Sequence, residues 1–451
     1  MTGPDADPGY ARRLGLFDGT MLVMGGIIGA GIFLNPAIVA QRVGTGPLTI
    51  AVWVVGGVIA LAGAFCFAEL GALRPRAGGG YVYLRDALGP LPAFLYGWTL
   101  LLVISTGAIA AVAVTFARYT AALFGLDSEA VTPVAVTAIV VLSTVNYRGV
   151  RPGATTQNIF TVLKLVAAVG LIVIGLTVAP GDQTAHGSMT GLPSPSGVGP
   201  ITAAIGVALI PVLFSYGGWQ QTNFVAEEMV RPERTLPRAL ILGVLGVVVV
   251  YVLANLAYVR QLGVTGLAGS MAPAADVMNR TVGRGGATFI SAGIAFSTFG
   301  FLNLVILVTP RVYQTMARDG LFFRHVARLH PRYRTPAAAI MYQAAWAVIL
   351  TLSGTYGQLL DYVVFGDWIF FGLCGVTVVV FRMRDGRAIE AGFRTPGYPW
   401  VPTLFVLAAL YVVVSSILSN PRNALFGSGL MALGLPVFLY WRRAAGTGRR
   451  Y

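Results

Sequence analysis

The sequence predicts an all-α integral membrane protein with twelve transmembrane helices, and three observations predict it. Of the 451 residues, 56% are hydrophobic and 11% are charged, against the roughly 25% charged residues of a soluble domain. Apolar stretches recur that are long enough to cross a hydrocarbon core of about 30 Å, which takes roughly 20 helical residues. The arginines sort to alternate connections between those stretches. The same composition excludes disorder, and the 57 glycines follow no Gly-X-Y period, which excludes collagen.

Taken in order, residues 1–15 are polar, carry Pro4 and Pro8, and are expected to form a cytoplasmic tail. Arg12 and Arg13 then anchor the first helix on the inside rather than forming an export signal. The first three spans are expected at 16–41, 48–72 and 91–123, with Arg74, Arg76 and Arg85 between the second and third. A short fourth at 132–147 is separated from a fifth at 155–178 by Arg148 and Arg151. The sixth, 201–228, runs past the membrane into a charged cluster of Glu227, Glu228, Arg231, Glu233 and Arg234, and a seventh follows at 238–260. The eighth, 287–316, also overruns, and the basic stretch from Arg318 to Arg334 leads to spans at 337–354 and 358–381. Spans at 401–419 and 424–441 precede a basic tail, 442–451.

The formal net charge of +14 could indicate a nucleic-acid partner. With the N-terminus inside and the spans alternating, 24 arginines fall on inner segments and 6 on outer ones. That asymmetry is the positive-inside rule, so the charge reports topology and no nucleic-acid partner is expected. Cys66 and Cys374 both fall inside apolar spans and read as small buried hydrophobes.

Catalytic and energy-coupling signatures are missing. A P-loop needs Gly-Lys-Ser/Thr, and the single lysine, Lys164, is followed by Leu165. Three histidines (His186, His325, His330) form no HExxH and the cysteines form no CxxC, so no metal or cofactor is expected. Gly78, Gly79 and Gly80 lie between helices, without the strand a dinucleotide fingerprint requires. Transport is therefore a stronger class than enzymology.

Two helices should break. Gly25–Phe33 reads GGIIGAGIF in the middle of the first span, and each glycine there costs about 1 kcal/mol against alanine. Close packing through small residues would also account for it. The sixth span, however, has a similar interruption, FSYGGWQQ at Phe214–Gln221. Breaks in corresponding first helices of two halves point to a transporter's midplane site. Residues 16–178 and 201–381 would then be two inverted five-helix repeats, followed by two further helices over 401–441. An unwound segment frees amides at one half-helix start and carbonyls at another half-helix end, which suits a carboxylate and an ammonium together. A small zwitterion, such as an α-amino acid, fits that description.

GGIIGAGIF, ELGALRPRAGGGYVY at Glu69–Tyr83, QNIFTVLK at Gln157–Lys164 and FSYGGWQQTNFVAEEMVRPERTLP at Phe214–Pro237 occur in one order. That order resembles the L-type amino acid transporter family of the amino acid–polyamine–organocation superfamily, across the first ten helices. The resemblance implies a LeuT-type fold and sodium-independent exchange of L-amino acids, small or neutral ones above all. It implies that amides around Gly29, Ala30 and Gly31 hold the substrate carboxylate. Carbonyls of Ile27, Phe214, Ser215 and Gly217 would hold its ammonium. Phe214 would gate the site, and Trp368 would line the side-chain pocket. Gln220 falls where relatives often have asparagine, and Ala30 where many have serine. No cysteine lies between Arg118 and Thr132, so no disulfide-linked heavy subunit is expected. The termini are expected on the cytoplasmic side of an inner or plasma membrane.

Two ions fall within the membrane. Lys164 lies twelve residues beyond Pro152, about 18 Å along a helix, where a lysine costs roughly 2.5–3.5 kcal/mol on insertion scales. In the resembling family this position stands where sodium-coupled cousins bind a cation. Its ammonium is expected to contact carbonyls of the first break and hydroxyls of the eighth span, Ser297 and Thr298. Asp367, beside Trp368, could pair with a cationic substrate side chain, carry a proton, or satisfy a neighbouring group. Glu69 and the Glu227–Arg234 cluster read as solvated helix ends, or as an inner gate to the Arg74–Arg85 loop. Two other functions stay open: a proton-coupled or cationic amino acid or polyamine transporter, and a ligand-sensing membrane receptor.

Overall fold

The computed structural model describes residues 9–179, 198–354, 356–385, 392–419 and 421–446. Among them it is helical almost throughout, the only strand-like pairing being an isolated bridge between Leu14 and Met229. Most of the expected N-terminal tail, the end of the C-terminal tail, His186 and Arg387 lie outside the described residues.

The first span is two helices, α1 (Leu16–Ile27) and α2 (Gly31–Val43), bent by 43° at the intervening residues. α3 (Gly46–Leu73) starts where the Thr45 hydroxyl accepts the Leu48 amide, an N-cap, and runs 28 residues. A short α4 (Gly80–Leu88) lies before α5 (Pro90–Thr99), a π-helical turn (Leu100–Ile104) and α6 (Ser105–Phe124), which together form one long span. α7 (Val131–Tyr147) and α8 (Val150–Thr177) follow.

The second half opens with α9 (Val198–Ser215), which gives way at Gly217–Gly218 to a 3₁₀ segment, Trp219–Glu228. α10 (Pro232–Ala268), α11 (Pro273–Val282), α12 (Arg284–Val308), α13 (Pro310–Arg318), α14 (Ala337–Ser353) and α15 (Tyr356–Asp385) complete it. α16 (Trp400–Ser419), α17 (Pro421–Ala432) and α18 (Gly434–Gly446) close the chain.

Among the described residues, ten of the apolar elements are long enough to cross a membrane, and the bent α1–α2 pair makes eleven. The one expected span left over, the ninth at 337–354, corresponds to α14, which has 17 residues and reaches about 25 Å at 1.5 Å per residue. That is short of a hydrocarbon core of about 30 Å.

The packing is that of a membrane protein. On α8, Ile159, Val162, Val166, Val169 and Val173 are exposed, whereas Gln157, Thr161 and Lys164 are buried. The apolar stripe faces outward and the polar stripe inward, the reverse of a helix on a soluble domain. α10 lies along α3 and α1, α12 packs on α8 and α6, and α2 packs on α9, so the two broken spans end up side by side in the interior.

Candidate functional site

The two breaks meet. Gly218 has φ +108°, a left-handed conformation that only glycine adopts cheaply. A Cβ on Gly218 would collide with the Gly26 carbonyl, and one on Gly26 with the Gly218 carbonyl. Gly31 likewise faces Ser215, whose Oγ would lie 2.7 Å from an added Cβ. The glycines thus serve a close approach of two backbones as well as the bend.

A cavity of about 290 Å³ opens against both breaks. Gly29, Ala30, Gly31, Phe214, Ser215 and Gly217 line it on that side, and Phe214 is 45% exposed. Ile104 and Ser105, at the end of the π-helical turn, line another wall, consistent with the tendency of π-bulges to occur at functional sites. Gln221, Thr298 and Asp367 also line it.

The backbone groups at the breaks divide into used and unused. The Gly29 amide donates to the Ile27 carbonyl at 2.9 Å, so Gly29 is not a free donor. The amides of Ala30 and Gly31 have no backbone acceptor among the described residues. They begin α2, where orphan N–H groups and the helix dipole favour an anion. The Ile27 carbonyl also accepts the Tyr251 hydroxyl at 3.0 Å, so both its lone pairs are taken. Ile27 therefore does not fit the ammonium-binding role expected of it. Tyr251 also donates to the Ser215 carbonyl at 3.2 Å, and the Phe214 carbonyl accepts Gly217 N–H at 3.1 Å. Each of those keeps one lone pair, and the Gly217 carbonyl keeps both.

Lys164 is fully buried, and its Nζ donates to the carbonyls of Gly25 (2.9 Å) and Ile28 (2.7 Å). These are end carbonyls of α1, left without intrahelical partners by the break. The Ser297 hydroxyl donates to the Ile28 and Gly29 carbonyls at 3.0 and 3.2 Å, so it shares an acceptor with Lys164 rather than contacting it. The Thr298 hydroxyl turns back to the Ile294 and Ala295 carbonyls of its own helix. The expected lysine–hydroxyl contacts are thus replaced by a common set of carbonyls. Behind the lysine, Gln157 donates to Thr161, Thr161 to the Met21 carbonyl, and Asn303 bridges Gln157 and Gly153.

Two further expectations shift by one residue. The Gln220 side chain accepts the Gly218 amide at 3.0 Å and is buried behind the break, while Gln221 lines the cavity. Trp368 does not line the cavity; it packs edge-on against Phe371 and beside Phe405. Its neighbour Asp367 does line it.

Sequence reasoning missed Tyr251, although Tyr251, Asn255 and Tyr258 recur at i, i+4 and i+7 in an otherwise apolar run. The Tyr258 hydroxyl donates to the Ile32 carbonyl, so one face of α10 holds both arms of the first break. It also missed how Glu228 is used. Far from being solvated, Glu228 is buried and forms a two-pronged pair with Arg311 (2.7 and 3.2 Å). Arg13 and Leu14 donate their amides to the Glu228 carbonyl, so the chain before α1 crosses the same spot. Glu69 pairs with Arg382 through two bonds of 2.7 Å, and Arg85 with Asp319 at 2.7 Å. Burial would lower the Arg85 guanidinium, but the Asp319 and Asp86 carboxylates together outweigh it and hold the group above its ordinary range. The Glu227 carboxylate accepts the Ala77 amide, which ties it to the Arg74–Arg85 loop.

Comparison with known proteins identifies the family. The family model described as amino acid permease matches residues 14–440. The b(0,+)-type amino acid transporter 1 of Mus musculus is 32% identical over 417 residues, covering 91% of this chain and 83% of that protein. The serine/threonine exchanger SteT of Bacillus subtilis (strain 168) is 31% identical over 438 residues, covering 96% of this chain and 97% of that protein. Large neutral amino acids transporter small subunit 2 of Mus musculus is 30% identical over 447 residues, 96% of this chain and 82% of that protein. A nearly all-helical, multi-pass chain whose two broken helices enclose a cavity is thereby placed: it belongs to the amino acid permease family, within the superfamily of amino acid, polyamine and organocation transporters.

Proposed function

We propose that this permease exchanges L-amino acids across the membrane without sodium, by alternating access around the breaks of its first and sixth spans. One observation carries the reading. The free amides of Ala30 and Gly31 and the uncommitted carbonyl positions at Phe214, Ser215 and Gly217 belong to residues lining one cavity. Helix starts attract a carboxylate and exposed carbonyls attract an ammonium, so the cavity suits the one substructure common to all α-amino acids. Lys164 supports the sodium-independent part: a fixed ammonium already occupies carbonyls that a bound cation would otherwise serve.

In this reading residues 16–178 and 201–381 act as two inverted repeats. The arginine-rich end is cytoplasmic and carries both termini, in an inner or plasma membrane. The Glu228–Arg311, Glu69–Arg382 and Arg85–Asp319 pairs then hold that end closed, and Phe214 guards the opposite mouth. The 125–130 connection carries no cysteine, so the chain works without a disulfide-linked partner. The test is uptake of a panel of labelled amino acids into proteoliposomes, with and without amino acid inside, in sodium and in choline. The reading expects uptake that needs internal amino acid and ignores sodium. Uptake into empty vesicles driven by a pH gradient would overturn exchange.

A further inference from the structure

The breaks account for the α-carboxylate and α-ammonium of a substrate, but not for what the rest of the cavity presents. Asp367 is the one ionisable side chain among the described lining residues, and it has no hydrogen-bond or ion-pair partner among the described residues. Gln221 Oε1 is buried and likewise unpartnered. The hydroxyls of Thr115 and Thr298 are already committed to carbonyls of their own helices. The cavity therefore holds unused acceptors and, in its described lining, no Lys, Arg or His to answer them. An ionised carboxylate held within a membrane without a partner costs several kcal/mol, so such groups face a cavity and mark a ligand.

Position separates this carboxylate from the amino-acid head-group site. α15, which carries Asp367, packs against the π-helical turn and α6 rather than along α1 or α2. Asp367 thus reaches the cavity from a different element than the free amides, next to Gly366, which faces Ile104 of the π-helical turn.

We propose that Asp367 sets the substrate class of this permease, its carboxylate pairing with a cationic group at the end of the substrate's side chain. The favoured substrates are then α-amino acids with an ammonium or guanidinium side chain, in place of the small or neutral ones expected from the sequence. A guanidinium supplies several donors in one plane and can serve both Asp367 and Gln221. This inference rests on the transport reading above.

The test is counterflow by the full-length protein in proteoliposomes, with arginine and citrulline competing against labelled alanine. Citrulline keeps the length and shape of arginine but has no charge. Wild type is expected to favour arginine over citrulline by about 10-fold or more, the value of a charge-assisted hydrogen bond. Asp367→Asn should bring that ratio close to one, and Asp367→Glu, which keeps the charge, should retain most of it. Thermal shifts of purified protein with each amino acid give the same ratio without transport and show that the variants fold. A wild-type ratio near one overturns the proposal, as does a ratio unchanged in Asp367→Asn. If the variants do not fold, the wild-type ratio alone decides. Alanine counterflow without arginine preference would overturn this inference and leave the transport reading intact. No counterflow of any amino acid would overturn both.

Discussion

Replacing Lys164 by methionine keeps most of the side chain's bulk and removes the ammonium. Two hydrogen bonds are lost, to Gly25 and Ile28. Ile28 keeps the Ser297 hydroxyl at 3.0 Å, but no other donor reaches the Gly25 carbonyl among the described residues. A buried carbonyl left orphaned costs about 1–3 kcal/mol. Against this, the variant no longer buries an ammonium, a penalty of several kcal/mol in its own right. The two terms offset one another, so the melting temperature should change little. The effect on transport should not cancel. Lys164 is on α8 and its acceptors are at the end of α1, so its bonds tie the first break to a neighbouring helix. Charge-assisted bonds contribute about 1.5–3 kcal/mol, and losing that bias between two conformations shifts their ratio by about 10- to 150-fold. Counterflow in proteoliposomes is expected to fall about 10-fold or more while the thermal melt stays near wild type. Wild-type exchange by Lys164→Met, or sodium-driven uptake by the wild type, would rule out this role for the lysine.

Gly218→Ala should destabilise severely, because φ is +108° and the new Cβ meets the Gly26 carbonyl; thermal melting or loss of a monodisperse folded species checks it. Gly29→Ala is the contrasting case: its Cβ meets nothing within 4 Å, so the protein should melt like wild type yet show weaker apparent affinity in counterflow. Tyr251→Phe keeps the ring packed edge-on to Trp53 and tilted against Tyr216 but removes the hydroxyl from the Ile27 and Ser215 carbonyls. It should lower exchange roughly 5-fold, at about 1 kcal/mol of coupling, with an unchanged substrate ranking. Arg311→Met alone leaves Glu228 buried without its partner and should cost about 3–5 kcal/mol, whereas the double variant with Glu228→Gln should recover much of the loss in a thermal melt.

The helices were legible because hydropathy in a membrane protein has few competing explanations, and the two breaks because glycine clusters are costly inside a helix. Lys164 was legible from depth alone: a single lysine that far from either end has to find a partner inside the protein. Details that depend on helical phase were not. The stretch after Gly218 is 3₁₀ rather than α-helical, with about 3.0 residues per turn in place of 3.6. That difference rotates successive residues and puts Gln221, not Gln220, on the cavity. Asp367 and Trp368 are adjacent on a helix, hence about 100° apart, and only one can face the site. Glu228 reads as a solvated helix end because its partners are distant in sequence, Arg311 on α13 and the backbone of Arg13 and Leu14. No local pattern announces a crossing of that kind. Tyr251 was recoverable in principle, since polar groups at i, i+4 and i+7 on a buried helix need acceptors nearby.

An α-amino acid is expected to bind where the two breaks meet. A structure with a bound amino acid tests it most directly. The α-carboxylate should lie within hydrogen-bond distance of the Ala30 and Gly31 amides, with the ammonium facing the carbonyls at Phe214, Ser215 and Gly217. A substrate bound away from the breaks, or with its carboxylate turned toward those carbonyls, would contradict it.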